Sequence, residues 1–216
     1  MAVTAKLVSE LRAKTGAGMM DCKKALVECD GDMGKAVEYL QKKSLAAVAK
    51  RAGKVAAEGA VYSYIHDGRV GAMVEVNSET DFVARGEAFQ AMIKNIAMHI
   101  AASNPLYLEP SEIPAEVTEK QKEIYAAQLL AEGKPEAMIE KIMVGKLKKW
   151  HSDVCLLNQS YVKEDKMTVA EYVTEVASSI KENIKIRRFV RFELGEGIEK
   201  KEEDFAAEVA AAAAGV

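Results

Sequence analysis

Cysteine, histidine, tryptophan and proline are scarce in this chain of 216 residues. It has three cysteines, three histidines, one tryptophan and four prolines. The cysteines form no CxxC pair and their number is odd, which argues against a disulfide framework and against a zinc site. The histidines fall in separate predicted elements, so a histidine metal triad is not expected. We therefore expect no metal or other cofactor, and cysteines that serve as small apolar residues.

Long apolar runs are also missing. None reaches the roughly 20 residues that cross a bilayer, and the N-terminal stretch lacks the apolar core of a signal peptide. The chain has 30 basic and 33 acidic side chains. Its net charge of −3 does not give the positive electrostatic field that is typical of nucleic-acid-binding proteins. We expect a cytoplasmic protein, or the mature form of an organellar one. Its partner should be a protein or a small molecule, not a nucleic acid or a membrane.

Motifs of nucleotide and hydrolytic chemistry are absent as well. The chain contains no GxxxxGK[ST] phosphate loop and no HExxH, and Gly16-Ala17-Gly18 lacks the third glycine of a dinucleotide fingerprint. Its serines have no nucleophile-elbow context. Glu79 and Asp81 stand two residues apart and could act as paired carboxylates, although solvated or capping carboxylates are far commoner. We therefore expect a protein that is not an enzyme.

The N-terminal part, residues 1–52, predicts a bundle of three short helices. Apolar residues recur there at helical spacing, and Thr4 is a suitable N-cap. The predicted helices cover 4–14, 19–29 and 33–43. A bundle this small has little room for a catalytic cleft, so docking is its expected role. The alanine- and lysine-rich stretch 44–59 is expected to be a linker that is helical in part.

The following part, residues 53–198, predicts a small α+β core. Strands are expected over 60–66, 69–77 and 183–194. Asp67-Gly68 joins the first two and is a strong hairpin signal. Alternation in the third strand predicts one face formed by Ile184, Ile186, Arg188, Val190, Phe192 and Leu194. Amphipathic helices are expected to pack on this antiparallel three-stranded sheet, over 87–103 and 168–180.

An insert at about 115–151 predicts two helices that are broken at Gly133-Lys134-Pro135. Their apolar stripes are narrow and their flanks are charged, which is typical of an antiparallel hairpin that projects from the core and buries one seam. The expected seam residues are Val117, Ile124, Leu129, Met138, Ile142 and Leu147. A C-terminal helical module is predicted over 199–216.

The stretch NSETDFVARGEAF connects the second strand to the next helix, and it carries an unexpected aromatic residue. Short connections usually need only Gly, Ser or Asp, yet Phe82 stands in the middle of this one. Two interpretations remain open at this stage. Phe82 either folds back to cap the core or is an exposed anchor for a partner's pocket, because aromatic anchors dominate interface energetics.

Three motifs resemble the elongation factor Ts family. They are LVSELRAKTGAGMMDCKKAL at residues 7–26, VNSETDFVAR at 76–85 and FELGEGIEK at 192–200. The resemblance runs across nearly the whole chain in the family's order. It implies a ubiquitin-associated-like three-helix domain followed by a dimerisation-type α+β core. The function it implies is guanine-nucleotide exchange on elongation factor Tu, the GTPase that delivers aminoacyl-tRNA to the ribosome.

The resemblance also implies two groups of partner-binding residues. Thr80, Asp81, Phe82 and Val83 match the family's TDFV loop, which enters the GTPase beside its magnesium site and displaces Mg²⁺. The family's N-terminal bundle docks on the same GTPase, and the residues here that match its docking motif are Arg12, Met19, Met20 and Lys23. An exchange factor of this kind needs no nucleotide site of its own. From the residues alone, the two methionines could equally be core.

The chain departs from the family in two ways. Ser78 stands where the family commonly has cysteine, and little effect is expected because exchange uses no thiol. Only one core unit is visible where longer members have two, which implies that short members replace the missing contacts by forming a homodimer. The alternative to an exchange factor is a helical adaptor or chaperone-like docking protein that leaves GDP release unchanged.

Overall fold

The computed structural model describes residues 3–198. The N-terminal bundle consists of α1 (Ala5–Thr15), α2 (Met19–Glu28) and α3 (Met33–Arg51). Thr4 caps α1, as predicted, by accepting a hydrogen bond from the Leu7 amide. Side chains from all three helices pack together in its core, and the following are fully or nearly buried: Val8, Leu11, Cys22, Ala25, Leu26, Ala36 and Leu40. The predicted C-terminal module, 199–216, lies outside the described residues.

Helix α3 is longer than the predicted 33–43 and links the bundle to the core. Leu, Ala and Lys in residues 45–50 are strong helix formers, and the helix continues through them to Arg51. Its second half packs on the core: Val48 contacts the core cluster and the Ser44 hydroxyl donates to that of Ser178. The stretch expected to be a partly helical linker is therefore helical over 44–51.

The core contains a three-stranded antiparallel sheet of β1 (Glu58–His66), β2 (Val70–Ser78) and β5 (Lys185–Glu193), in the order β1-β2-β5. The predicted hairpin forms, and both Asp67 and Gly68 have the positive φ that its tight turn requires. Among residues 3–198, no helix combines the length and the apolar character that crossing a bilayer requires. The predicted α+β fold class is confirmed.

The predicted single face of β5 is wrong. The pairing of β2 with β5 shifts register between Glu75 and Val76, so that Arg187 is the extra residue of a bulge. A bulge reverses which side chains face the core from that point on. Ile184 and Ile186 are buried, whereas four residues predicted to share their face point away from the core: Arg188, Val190, Phe192 and Leu194. Phe189 and Arg191 face inward instead.

Two helices contribute to the core on the inner side of the sheet: one contacts β1 and β2, and the other packs against the first. The broad apolar stripe of α5 (Glu87–Ser103) supplies most of the core, and α8 (Val169–Ile180) begins at Thr168 with a capping box. A small hairpin of β3 (Ser160–Tyr161) and β4 (Glu164–Thr168) is not predicted from the sequence. Its strands are too short to give a period-2 pattern.

The insert forms the predicted hairpin, with α6 (Ala115–Ala131) and α7 (Glu136–Val154). Leu129 is buried in its seam as expected. Three other predicted seam residues remain exposed: Val117, Ile124 and Met138. Two helices share only one seam, so apolar side chains beside it stay in solvent unless a third element covers them.

Candidate functional site

The segment that contains Phe82 is a single helical turn. Residues 79–85, which we call the Phe82 turn, include the four-residue helix α4 (Asp81–Ala84). Thr80 is its N-cap and accepts a hydrogen bond from the Val83 amide at 3.3 Å. Asp81, in the first turn, forms an ion pair with Arg85 at 2.9 Å. The connection between β2 and the next helix therefore contains one helical turn.

The inward side of α4 is fixed to the core. Ala84 is buried, and Val83 packs against the core cluster. The Gln90 side chain, which projects from α5, donates to the Ala84 carbonyl at 2.6 Å and so satisfies one C-terminal carbonyl of the turn. The Ser78 hydroxyl donates to the Thr80 carbonyl at 2.9 Å.

Phe82 lies on the opposite side of α4 and points into solvent. Its side chain is 84% exposed. The interpretation that Phe82 caps the core is therefore wrong, and the exposed-anchor interpretation remains. Full burial of a phenylalanine side chain in a partner would contribute about 1.5–3 kcal/mol, so this residue can supply a sizeable share of a binding energy.

Glu182 holds the start of the Phe82 turn from the other side. It follows Lys181, the left-handed C-cap residue of α8. One carboxylate oxygen of Glu182 accepts from the amides of Glu79 and Thr80, at 3.1 and 3.2 Å. The other accepts from the Thr80 hydroxyl at 2.7 Å. The two amides come directly after the end of β2, where the strand ladder no longer satisfies them.

Glu79 in turn contacts the residue that follows Glu182. Its carboxylate accepts from the Asn183 amide at 2.7 Å and pairs with Lys54 at 2.9 Å and Arg51 at 3.3 Å. The Lys54 ammonium, followed by the Asn183 amide, holds the pKa of Glu79 below its ordinary range. Glu79 is therefore ionised at neutral pH. We call the reciprocal contacts of Glu79 and Glu182 the carboxylate latch.

Glu79 and Asp81 do not resemble an acid–base pair. The two carboxylates are bound to different cations, Glu79 to Lys54 and Arg51, and Asp81 to Arg85. Catalytic pairs that share a proton depend on mutual repulsion raising one of the two pKa values. The pKa of Glu79 is shifted in the opposite direction.

The second predicted group lies where α1 meets α2. Arg12 is in the last turn of α1, and Met19, Met20 and Lys23 are in the first half of α2. All four are exposed, and the two methionines are 55% and 66% exposed. The interpretation that the methionines are core is therefore wrong. We call these four residues the docking corner.

The docking corner is connected to the Phe82 turn through α3. Asp21 in α2 pairs with Lys43 in α3 at 2.9 Å, and that ion pair lowers the pKa of Asp21. The end of α3 in turn contributes Arg51 to the carboxylate latch. Sequence reasoning misses the latch partners Arg51, Lys54, Glu182 and Asn183. They are distant in the chain from Glu79, and no local motif marks them.

Comparison with known proteins adds independent information. Residues 17–196 match the family model described as "Elongation factor TS". The chain is 60% identical to the Elongation factor Ts of Geobacter metallireducens, over 99% of both chains. It is 58% identical to that of Acetivibrio thermocellus, over 96% of this chain and 97% of the relative. It is 57% identical to that of Alkaliphilus oremlandii, over 97% of both.

Proposed function

This chain belongs to the elongation factor Ts family, and we propose that it releases GDP from elongation factor Tu by inserting the Phe82 turn beside the GTPase's magnesium site. Family membership gives it a role in translation elongation, with nucleotide exchange on elongation factor Tu as the family's activity. The resemblance read from the three motifs is thereby confirmed. All three relatives named above are bacterial, and the compartment we propose is the cytoplasm.

The observation that carries the proposed mechanism is the exposed aromatic ring on an anchored turn. Phe82 is 84% exposed, while its neighbours Val83 and Ala84 are packed on the core. An apolar side chain held in solvent stabilises nothing in the free protein, but it binds a partner with little further ordering. In this proposal Thr80 caps the turn, Asp81 braces it through Arg85, and Phe82 enters the partner.

Displacement of Mg²⁺ explains how a protein without nucleotide chemistry can act as an exchange factor. Mg²⁺ bridges and neutralises the phosphates in a GTPase, so its loss weakens the hold on GDP. Coupling between the two ligands is reciprocal: if the factor weakens GDP binding, GDP weakens the factor by the same ratio. Each ~1.4 kcal/mol of coupling changes the affinity tenfold.

Binding at the docking corner would hold the GTPase while the Phe82 turn acts. Met19 and Met20 offer adaptable apolar contacts, and Arg12 and Lys23 add positive charge beside them. The Asp21–Lys43 ion pair and the carboxylate latch connect the docking corner to the Phe82 turn through α3. The two surfaces are therefore held together and can engage a single partner.

The dissociation of a fluorescent GDP analogue from elongation factor Tu tests the proposed function. We expect the intact chain to accelerate dissociation in a concentration-dependent and saturable way. An adaptor or chaperone-like protein would bind the GTPase and leave the dissociation rate unchanged. That result, obtained together with direct evidence of binding, would replace the exchange function by the adaptor.

We also propose that two copies pair through the outer face of the sheet. Two cross-strand rows on this face carry apolar side chains: Met73 and Val190 in one, and Ile65 and Phe192, which flank Gly71, in the other. Phe192 is 72% exposed. Contiguous exposed apolar patches mark interaction sites, and a two-fold axis would place the same patch on both partners. The resulting pair of sheets would form a sandwich about 10 Å apart.

Light scattering tests this dimer. We expect the wild-type protein to have twice the chain mass of 23.5 kDa, and Phe192→Asp to have the single-chain mass, because the new charge would be buried in the interface. Val144→Asp, on the exposed side of α7, is the matched control and should keep the dimer. A wild-type mass of one chain across the accessible concentrations would contradict the proposal.

A further inference from the structure

We propose that Glu182 is a positioning residue for nucleotide exchange, which holds the Phe82 turn in the orientation that presents Phe82 to the partner. This inference rests on the exchange function proposed above. Glu182 is far from Phe82 in the sequence and belongs to none of the three family motifs. Its role is inferred from its contacts alone.

A single helical turn does not keep its shape by itself. α4 has four residues, and the first turn of a helix fixes several dihedral angles for a single hydrogen bond, so isolated turns are unfavourable. The inward contacts of Val83 and Ala84 fix one side of the turn. Its entry requires a separate anchor, because β2 ends at Ser78.

Glu182 supplies that anchor through Thr80. The Thr80 hydroxyl accepts from the Val83 amide and donates to Glu182, at 3.3 and 2.7 Å. The same hydroxyl therefore caps α4 and binds the latch, which fixes its rotamer. With the amides of Glu79 and Thr80 also bound to Glu182, three donors at the entry of the turn converge on one carboxylate. Hydrogen bonds to a charged acceptor are among the stronger ones in proteins.

The latch also orients the turn relative to the rest of the molecule. Glu79 binds Arg51 and Lys54 at and just after the end of α3, and Asn183 just after α8. The Asn183 side chain donates to the Lys54 carbonyl at 2.7 Å and closes the network. The Phe82 turn is thus tied to the ends of both helices. Without Glu182, the entry of the turn would lose the three hydrogen bonds that this carboxylate accepts, and the Phe82 side chain would no longer be held in one direction.

The test measures GDP release from elongation factor Tu over a range of concentrations of the chain and its variants that extends to saturation. We expect Glu182→Ala to lower the maximal exchange rate about tenfold, as the loss of charge-assisted hydrogen bonds suggests. The concentration for half-maximal effect should change less, because the docking corner is intact. Glu182→Gln, which keeps one acceptor oxygen, should lose about threefold. Glu175→Gln, an exposed acid in the preceding helix α8, is the matched control and should match the wild type.

A double variant separates positioning from a general loss of stability. If Glu182 acts through Phe82, then Glu182→Ala should have almost no further effect on exchange in a Phe82→Ala background. Multiplying effects would overturn the proposal, and so would a wild-type rate for Glu182→Ala. If Glu182→Ala does not fold, Glu182→Gln takes its place in the same cycle.

Amide hydrogen exchange of the free chain provides a measurement that does not depend on the GTPase. We expect the amides of Glu79 and Thr80 to be protected in the wild type and to exchange faster in Glu182→Gln. Exchange at the rate of an unstructured chain in the wild type would overturn the latch itself. Protected amides in a chain that does not accelerate GDP release would instead overturn the exchange function, and the positioning role would be lost with it.

Discussion

Phe82→Ala is expected to reduce the acceleration of GDP release at least tenfold while it leaves the melting temperature within about 2 °C of the wild type. The first effect follows from the loss of an anchor whose burial is worth about 1.5–3 kcal/mol, where each ~1.4 kcal/mol is a factor of ten. The second follows because the side chain is 84% exposed, and substitutions at exposed positions usually change stability by at most about 0.5 kcal/mol.

The measurement combines stopped-flow release of a fluorescent GDP analogue with thermal unfolding of the same samples. Leu106→Ala removes another exposed apolar side chain and serves as the control, which should release GDP like the wild type. Phe82→Leu should fall between the two, because it keeps part of the apolar surface. Full activity in Phe82→Ala would refute the anchor role. A large loss of melting temperature would mean that Phe82 stabilises the fold.

Elements with a strong local signal could be predicted from the sequence. The apolar stripe of α5 gives the predicted bounds Glu87–Ser103, and Asp67-Gly68 marks the β1–β2 hairpin. In both cases the residues that form the sequence pattern are the same residues that form the element, so no distant partner is needed to identify it. The same holds for the bundle, where Thr4 caps α1 as predicted.

Features that depend on distant partners could not be predicted. The face of β5 changes at Arg187 because its partner strand, more than 100 residues earlier, pairs with a register shift. Alternation along β5 alone contains no sign of that shift, so it places Val190 and Phe192 on the wrong face. The correction matters for function, because it is the bulge that puts these two side chains on the outer face of the sheet.

The candidate site also has features that the sequence predicts and features that it does not. Motif resemblance identifies Thr80, Asp81, Phe82 and Val83, but periodicity cannot decide whether Phe82 faces the core or solvent. That choice depends on what surrounds the turn: the core on which Val83 and Ala84 pack, and Glu182, which is 102 residues from Thr80. A glutamate after a helix is ordinary in sequence. Its contacts with Glu79 and Thr80 form only because the fold brings the end of α8 beside the end of β2.

Gly59→Ala is expected to destabilise the fold strongly, because alanine does not fit the backbone at this position. Gly59 has φ +138°, and a Cβ added to it would lie 2.1 Å from the Val76 carbonyl oxygen and 2.7 Å from the Asn77 Cα. Both are backbone atoms of the paired strand β2, so relief requires β1 and β2 to separate at this end. We expect a loss of roughly 3 kcal/mol or more, which lowers the melting temperature by about 6–12 °C.

Gly145→Ala is the matched control for this prediction. Gly145 lies inside α7, and apart from its two chain neighbours and the nearby helical backbone no atom of the described residues comes within 4 Å of the position that a Cβ would take. Alanine there should stabilise the chain by about 0.5–1 kcal/mol through helix propensity. Denaturant unfolding of both variants checks the two opposite signs.

Gly59→Ala is also expected to disturb the Phe82 turn. Because Asn77 leads directly into Ser78 and the turn, Gly59→Ala should also slow GDP release at temperatures where it remains folded. Gly145→Ala, which is far from this strand in the sequence, should release GDP like the wild type. A Gly59→Ala variant as stable as the wild type would contradict the backbone clash, and a destabilised variant that releases GDP like the wild type would mean that the β1–β2 pairing does not constrain the entry to the Phe82 turn.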